Sequence, residues 1–259
     1  MFVQTISLFR YLILGIINRR LLALIGILYL ASLVLSQFIM ELAIFNSQSI
    51  AAGFLADFLR YSLVLLVLLV VISNVAEDFE YGQFERLKTM PVSRWQYIAA
   101  QFLVIALTAL VLAIPGLLLF GFYADFEIAA YWTAALWLEL LLLGLVGLLA
   151  ILSLEKVPVA VFLSLAVYLL SKLSGLIGQM LKESVYLSDG SLSSRFAESV
   201  FNGILHVLPG LESFAENDVY FQDMALMNLL MTQMFSVSIY ILLILSVCLI
   251  DFYRKEINL

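Results

Sequence analysis

Two charged residues interrupt long apolar runs of this sequence. Glu139 lies within the run Tyr131–Leu152, and Lys172 lies within the run Val159–Ile177. A charge at the centre of a lipid bilayer costs about 3 kcal/mol on insertion scales, and such side chains usually face protein or a polar cavity. One interpretation is that the two line or gate a polar pathway, as a pair. The alternative is that each extends its charge to the membrane surface or forms a structural ion pair.

The residues needed for familiar hydrolytic chemistry are missing. The sequence has no G-x-x-x-x-G-K-[ST] phosphate loop and no H-E-x-x-H pair, and it contains one histidine, His206. The single cysteine, Cys248, lies in an apolar run, which favours a small packing residue over a reactive thiol. Ser174 precedes a glycine as in the rhomboid-protease motif, but Lys172 occupies the place of the glycine that this motif requires. We therefore expect no catalytic residues and no metal site.

The segment 77–95 is the most distinctive polar part of the chain. Phe84, Leu87 and Met90 recur every three residues, which predicts a short helix with an apolar stripe. Pro91 ends that helix, because the residue before a proline disfavours helical geometry. A short amphipathic helix needs a surface to cover its stripe, and that surface is either lipid or a groove on a soluble partner.

The composition indicates which kind of structure carries these polar residues. Hydrophobic residues make up 64% of the chain and charged residues 12%, far from the proportions of soluble domains. A membrane-spanning helix needs about 20 apolar residues, and the apolar runs are continuous rather than alternating. We predict an all-α membrane protein, one transmembrane domain over residues 1–259, with six spans: Leu21–Met40, Phe58–Val75, Tyr97–Phe122, Tyr131–Leu152, Val159–Ile177 and Leu226–Ile250.

Basic residues predict the orientation of the spans. Lys and Arg favour cytoplasmic loops, and the segments placed inside contain Arg10, Arg19, Arg20, Arg86, Lys88, Arg94, Lys156, Arg254 and Lys255. The segments placed outside contain only Arg60, Lys182 and Arg195. We therefore predict a multi-pass protein of the cell inner membrane with both termini in the cytoplasm. Asp57 and Arg60, at the outer end of the second span, are expected to form a local pair.

Two further segments are predicted not to span. The arm 1–20 is short and apolar enough to lie at the membrane interface as a helix. The segment 179–223, placed outside, has Phe196, Val200, Ile204 and Val207 at helical spacing, which predicts an amphipathic helix. Pro115, in the third span, is either a hinge or a static kink that neighbouring helices repair.

The segment 77–95 resembles the corresponding loop of permease subunits of type-2 ABC exporters. In that family an acidic stretch is followed by glycine, by glutamate three residues later, by leucine five later and by proline-valine-serine-arginine from nine later. Gly82, Glu85, Leu87 and Pro91–Arg94 match this spacing. Elsewhere the resemblance rests on architecture, and the length and acidity of residues 179–223 depart from the family's pattern.

The resemblance implies a mechanism and a set of partners. Such permeases pair as dimers, and each copy contacts a separate cytoplasmic ABC ATPase that binds ATP and Mg, so this chain itself needs no cofactor. ATP binding would close the two ATPase copies and draw the coupling helices of the permeases together. The residues that this assigns to ATPase coupling are Glu77, Asp78, Gly82, Phe84, Glu85, Arg86, Leu87, Met90 and Pro91.

Two functions stay open from the sequence. The first is export of an amphipathic or lipid-like substrate, whose identity the sequence does not give. The second is a non-transporting membrane module that relays ATPase-driven conformational change to an extracytoplasmic protein partner. The long segment 179–223 is the feature that suggests it. Membrane lipid is a contact in either case. Nucleic acid is not an expected partner, because the net charge is −6 and no basic stripe is present.

Overall fold

The computed structural model describes residues 19–80, 94–187 and 226–254. Every regular element within these ranges is an α-helix. In chain order they are α1 (Arg19–Leu42), α2 (Ser47–Glu80), α3 (Arg94–Phe120), α4 (Phe126–Leu154), α5 (Val157–Leu187) and α6 (Leu226–Arg254).

Most of these helices are long and apolar enough to cross a bilayer. Five qualify, namely α1, α2, α3, α4 and α6. Among the described residues, α5 contributes a shorter apolar stretch, Val157–Leu173. In the hydrocarbon of a bilayer every backbone N–H and C=O group needs a hydrogen-bond partner within the protein, and an α-helix provides these partners within its own segment. The described part of the chain is thus a helical, multi-pass membrane protein, as the continuous apolar runs predicted.

Several helix boundaries differ from those expected. Helix α2 begins at Ser47 rather than at Phe58, because its polar first turns still bury Ala51, Ala52 and Leu55 against the bundle. Helix α5 continues to Leu187 and so includes the first residues of the segment 179–223. The remainder of that segment from 188 lies outside the described residues, as do most of the arm 1–20 and the residues 81–93.

Helix α4 forms the centre of the bundle. In its most apolar window 83% of the residues are buried, against 22% in α1 and 17% in α6. It packs against α2, α3, α5 and α6. Two glycines permit close approach: a Cβ on Gly144 would lie 2.5 Å from Cγ2 of Ile105 in α3, and one on Gly147 would lie 3.1 Å from Leu68 in α2.

The bundle has two distinct ends, which we name after a residue at each. At the Asp78 end, Tyr97 of α3 contacts Asp78 of α2 and Phe252 of α6, and the α4–α5 turn lies there too because Ser153 donates to Asp251. At the Tyr123 end, the Tyr123 hydroxyl accepts from Ser36 and Gln37 of α1. The C-terminal end of α2, the N-terminal end of α3, the α4–α5 turn and the C-terminal end of α6 therefore share one end, as the topology predicted.

The proline in α3 is accommodated by neighbouring helices. Helix α3 runs through Pro115 without ending. The Tyr29 hydroxyl of α1 donates a hydrogen bond of 2.6 Å to the carbonyl of Leu112, which lies in the turn that the proline disturbs. Gly116 leaves room for Trp132 of α4, whose ring stacks on Phe120 with centroids 5.0 Å apart. These contacts favour the static, repaired kink over the hinge.

The contact between α3 and α4 at Gly144 gives a test of the packing. Replacing Gly144 with Ala forces a methyl group against Ile105, and we expect a loss of about 1–3 kcal/mol in stability from overpacking. Thermal unfolding of the purified protein in detergent measures it. Ile105→Leu removes the Cγ2 methyl, so adding it to Gly144→Ala should recover most of the loss.

Gly53→Ala provides the matched control, because nothing lies within 4 Å of the position of its added Cβ. That variant should unfold at or slightly above the wild-type temperature, since alanine is the better helix former by about 1 kcal/mol. Equal effects at the two positions would contradict the close α3–α4 contact.

Candidate functional site

The spacing of buried residues in α2 places a charge inside the bundle. The buried positions recur every four residues in two adjacent rows, and one row contains Ala52, Ala56, Arg60, Val64 and Leu68. Residues four apart lie on the same face of a helix. Arg60 therefore occupies a core position on the buried face of α2, with its side chain 1% exposed.

The second charge comes from the central helix. Glu139 lies near the middle of α4 and is completely buried, among leucines on both sides in the sequence. The third charge, Lys172, lies on α5, and its side chain is 7% exposed. Each of the three is about 20 Å along its helix from that helix's first residue, at a rise of about 1.5 Å per residue. The three charges therefore lie deep in the bundle rather than at its ends.

The three side chains form one charge cluster, by which we mean Arg60, Glu139 and Lys172. Nε of Arg60 lies 3.1 Å from Oε2 of Glu139. Nζ of Lys172 lies 3.1 Å from Oε1 of the same carboxylate. Each oxygen of Glu139 thus faces a different cation, and one carboxylate joins α2, α4 and α5.

Aromatic and acidic groups surround the charge cluster. The ring of Tyr168, one turn before Lys172 on α5, lies with its centroid 6.0 Å from the lysine Nζ. That ring also meets Tyr61 of α2 edge to face, with centroids 6.0 Å apart. Asp57 lies one turn before Arg60 on the same helix, α2. With Asp57 included, two carboxylates and two cations balance in formal charge.

Of the alternatives that the sequence left open for Glu139 and Lys172, the structure shows an ion pair. The two side chains bind each other, and that of Lys172 is directed into the bundle. The pathway role of both residues stays a prediction. Glu77 is exposed and Asp78 is buried at the end of α2, whereas the other coupling candidates, from Gly82 to Pro91, lie outside the described residues.

Arg60 was assigned wrongly from the sequence. It was counted among the outside segments, but it is buried inside α2 and binds Glu139 of α4. The local pair of Arg60 with Asp57 stays a prediction. The error follows from starting the second span at Phe58, which put Arg60 at its edge. Small and apolar residues recur every four positions from Ala51 onward. This spacing predicts that the helix begins upstream of Phe58 and that Arg60 lies on its buried face.

The arrangement favours a closed interhelical joint over a reactive centre. Breaking a buried ion pair by removing one partner is strongly destabilising, so the shared carboxylate fixes how α2 and α5 sit on α4. A polar passage at this depth would require α2 or α5 to separate from α4. Among the described residues, no group of three or more His, Cys, Asp or Glu side chains could hold a metal ion.

The sequence matches no protein-family model and no curated protein. The charge cluster and the segment 77–95 are therefore the features on which a functional proposal rests. The first joins α2, α4 and α5, and the second carries the apolar stripe that the sequence predicts.

Removing the shared carboxylate should be costly. Glu139→Gln leaves Arg60 and Lys172 buried without its charge, and we expect a loss of about 3–5 kcal/mol in the free energy of unfolding. Thermal unfolding in detergent or nanodiscs measures the loss. Replacing all three residues with methionine removes every charge of the cluster and should restore most of the stability, because an apolar triad needs no partner.

Glu127→Gln is the matched control, since Glu127 is an exposed acid in the first turn of the same helix. Its effect should stay within about 0.5 kcal/mol, as for most surface substitutions. If Glu139→Gln were as harmless as Glu127→Gln, the cluster would not hold the three helices together.

Proposed function

We propose that this chain is the permease subunit of a type-2 ABC exporter. It would act as a dimer, with each copy bound to a separate cytoplasmic ATPase, and export an amphipathic or lipid-like substrate. The observation that carries the proposal is the pattern of Gly82, Glu85, Leu87 and Pro91–Arg94 in the connection between α2 and α3. The ends of these two helices lie at the Asp78 end of the bundle, so a partner bound to the connection would act on both.

The source of energy supports a separate ATPase. The chain has no phosphate loop, so nucleotide and Mg would be bound by the partner. Phe84, Leu87 and Met90 would supply buried contact area in a groove of that partner. Glu85 and Arg86 would supply charge pairs at its rim, which set register more than affinity.

The distribution of charges supports an orientation with the Asp78 end in the cytoplasm. The short turns at the Tyr123 end, residues 43–46 and 121–125, contain no Lys or Arg. Lys156 in the α4–α5 turn and Arg254 at the end of α6 lie at the Asp78 end. Cytoplasmic loops favour basic residues, so both ends of the chain would be cytoplasmic in an inner-membrane protein. In this arrangement α5 also crosses the membrane and brings the number of spans to six. It has 31 residues and a length of about 46 Å.

The outer faces of the bundle suit lipid and a second copy. Helices α1 and α6 bury few residues, and large apolar side chains such as Leu30, Phe38, Phe235 and Leu242 are more than half exposed. Within the part of the chain that the structure describes, Glu139 is buried and paired with two cations, so a polar substrate could pass this point only if the charge cluster opened. Transport would then use surfaces between two copies, or a state in which α2 and α4 have shifted.

The apolar stripe of the segment 77–95 gives the direct test. Phe84→Asp together with Leu87→Asp puts two charges where the proposal requires buried apolar contact. We expect the double variant to fold and to lose co-purification with its ATPase, by about tenfold or more in retained partner, since desolvating an unpaired charge opposes docking.

The control is Ile44→Asp together with Phe45→Asp, the same chemical change at exposed positions in the α1–α2 turn at the other end of the bundle. This variant should bind the ATPase as the wild type does. Unimpaired binding and ATP-coupled activity in the Phe84/Leu87 variant would rule out the coupling role.

The charge cluster also keeps the second candidate function open. Because each Glu139 oxygen is already held by a cation in a buried site, the bundle is equally suited to relay movement without passing a substrate. The relay would act through the long segment between α5 and α6 on an extracytoplasmic protein.

Deleting residues 191–216 separates the two functions. A relay predicts that the purified complex keeps its ATPase activity while its function in cells is lost and its outer partner no longer co-purifies. An exporter that does not use this segment for docking predicts that cellular function and any outer partner persist. Internal replacement by an equally long Gly/Ser linker controls for the shortened connection.

A further inference from the structure

A second polar cluster lies at the Asp78 end, at the base of the α2–α3 connection. Oδ2 of Asp78 accepts a hydrogen bond of 3.0 Å from the Tyr97 hydroxyl and one of 3.3 Å from Nε2 of Gln101. The same Nε2 donates to the Tyr97 hydroxyl at 3.1 Å. Asp78, Tyr97 and Gln101 are 5%, 3% and 1% exposed. We call these three residues the stem cluster.

The position of the stem cluster is what makes it informative. Asp78 lies two residues before the end of α2, and Tyr97 lies three residues after the start of α3. The stem cluster therefore closes the base of the connection that carries the segment 81–93. Two helices joined only by a loop could be displaced separately, whereas hydrogen bonds across the base make them move as a pair.

A third helix is tied to the same point. The Tyr97 ring stacks on Phe252 of α6, with centroids 5.7 Å apart and planes 14° apart. Next to Phe252, Asp251 of α6 accepts a hydrogen bond of 2.9 Å from Ser153 of α4. The stem cluster thus connects the ends of α2 and α3 directly to α6, and α6 in turn to the central helix.

The same helix, α2, also carries Arg60 of the charge cluster. Arg60 and Asp78 lie on the same helix about 27 Å apart, at about 1.5 Å per residue. A helix held at one end by the stem cluster and at mid-length by Glu139 transmits displacement as a rod. Hydrogen bonds restrict the relative position of the two helices more than apolar contacts do, because helices in apolar contact can slide past each other. The three hydrogen bonds of the stem cluster, around one buried carboxylate, have a single good geometry.

We infer that Asp78, Tyr97 and Gln101 are positioning residues that convert displacement of the segment 81–93 into joint movement of α2, α3 and α6. The inference rests on the proposed function, because the displacement is supplied by the ATPase. Asp78 then acts by holding Tyr97 inside the bundle, in addition to or instead of the ATPase contact that the resemblance assigns to it.

The test measures movement at both ends of the bundle in the complete complex with its ATPase, reconstituted in nanodiscs. Pairs of spin labels are placed on cysteines substituted at Trp95 and Lys156 for the Asp78 end, and at Phe45 and Phe126 for the Tyr123 end. Cys248, which is buried, is replaced by alanine. Distance distributions are recorded without nucleotide and with ATP under non-hydrolysing conditions.

Tyr97→Phe is the main variant, because it removes the hydroxyl and keeps the ring that stacks on Phe252. We expect it to bind the ATPase normally and to keep the ATP-dependent change at the Asp78 end. The ATP-dependent change at the Tyr123 end should fall by about five- to tenfold in population, the effect of losing one buried hydrogen bond from one of two states. Asp78→Asn, which keeps one acceptor oxygen, should give a smaller loss.

Tyr29→Phe is the matched control, since it deletes a buried tyrosine hydroxyl that also bridges two helices, α1 and α3. It should lower the unfolding temperature comparably and leave the movement at both ends intact. Wild-type transmission in Tyr97→Phe, or equal losses in Tyr97→Phe and Tyr29→Phe, would overturn the role of the stem cluster.

Failure of the proposed function has a different signature. If the wild-type chain binds no ATPase, or if ATP changes neither distance in the wild-type complex, the exporter proposal is wrong and the inference falls with it. If the wild type moves at both ends and Tyr97→Phe moves as well as the wild type, only the stem cluster is refuted.

Discussion

The carboxylate of Glu139 is the interaction on which the arrangement of the helices depends. It lies on the most buried helix and holds a cation from α2 on one oxygen and a cation from α5 on the other. In an apolar bundle, van der Waals packing alone leaves neighbouring helices several similar registers, because lipid and protein are equally apolar. A buried charge with two partners removes that freedom, since any shift of α2 or α5 leaves a charge unpaired.

Around the charge cluster, the helices are held by close apolar contacts and by individual hydrogen bonds between helices. Gly144 and Gly147 let α4 approach α3 and α2, and Tyr29 satisfies a carbonyl beside the proline kink of α3. The stem cluster adds a polar tie at the end where the α2–α3 connection leaves the bundle. The bundle is thus constrained at mid-depth and at one end.

The two polar clusters also explain how an exporter and a relay could share one architecture. In both proposed functions, force would enter at the α2–α3 connection and would have to reach the opposite end of the bundle. They differ in whether a substrate passes between helices when the charge cluster shifts. In the proposals, that difference would depend on a second copy of the chain and on the segment between α5 and α6.

The sequence by itself determined the membrane class, the helical architecture and the positions of α1, α3, α4 and α6 to within a few residues, because long apolar runs in lipid leave the backbone no other option. It also identified Glu139 and Lys172 as unusual. Only the tertiary structure decided that Arg60 completes their cluster and that Asp78 binds Tyr97 and Gln101. Each of these contacts joins residues from different helices, and their partners depend on helix rotation and register, which hydropathy does not encode.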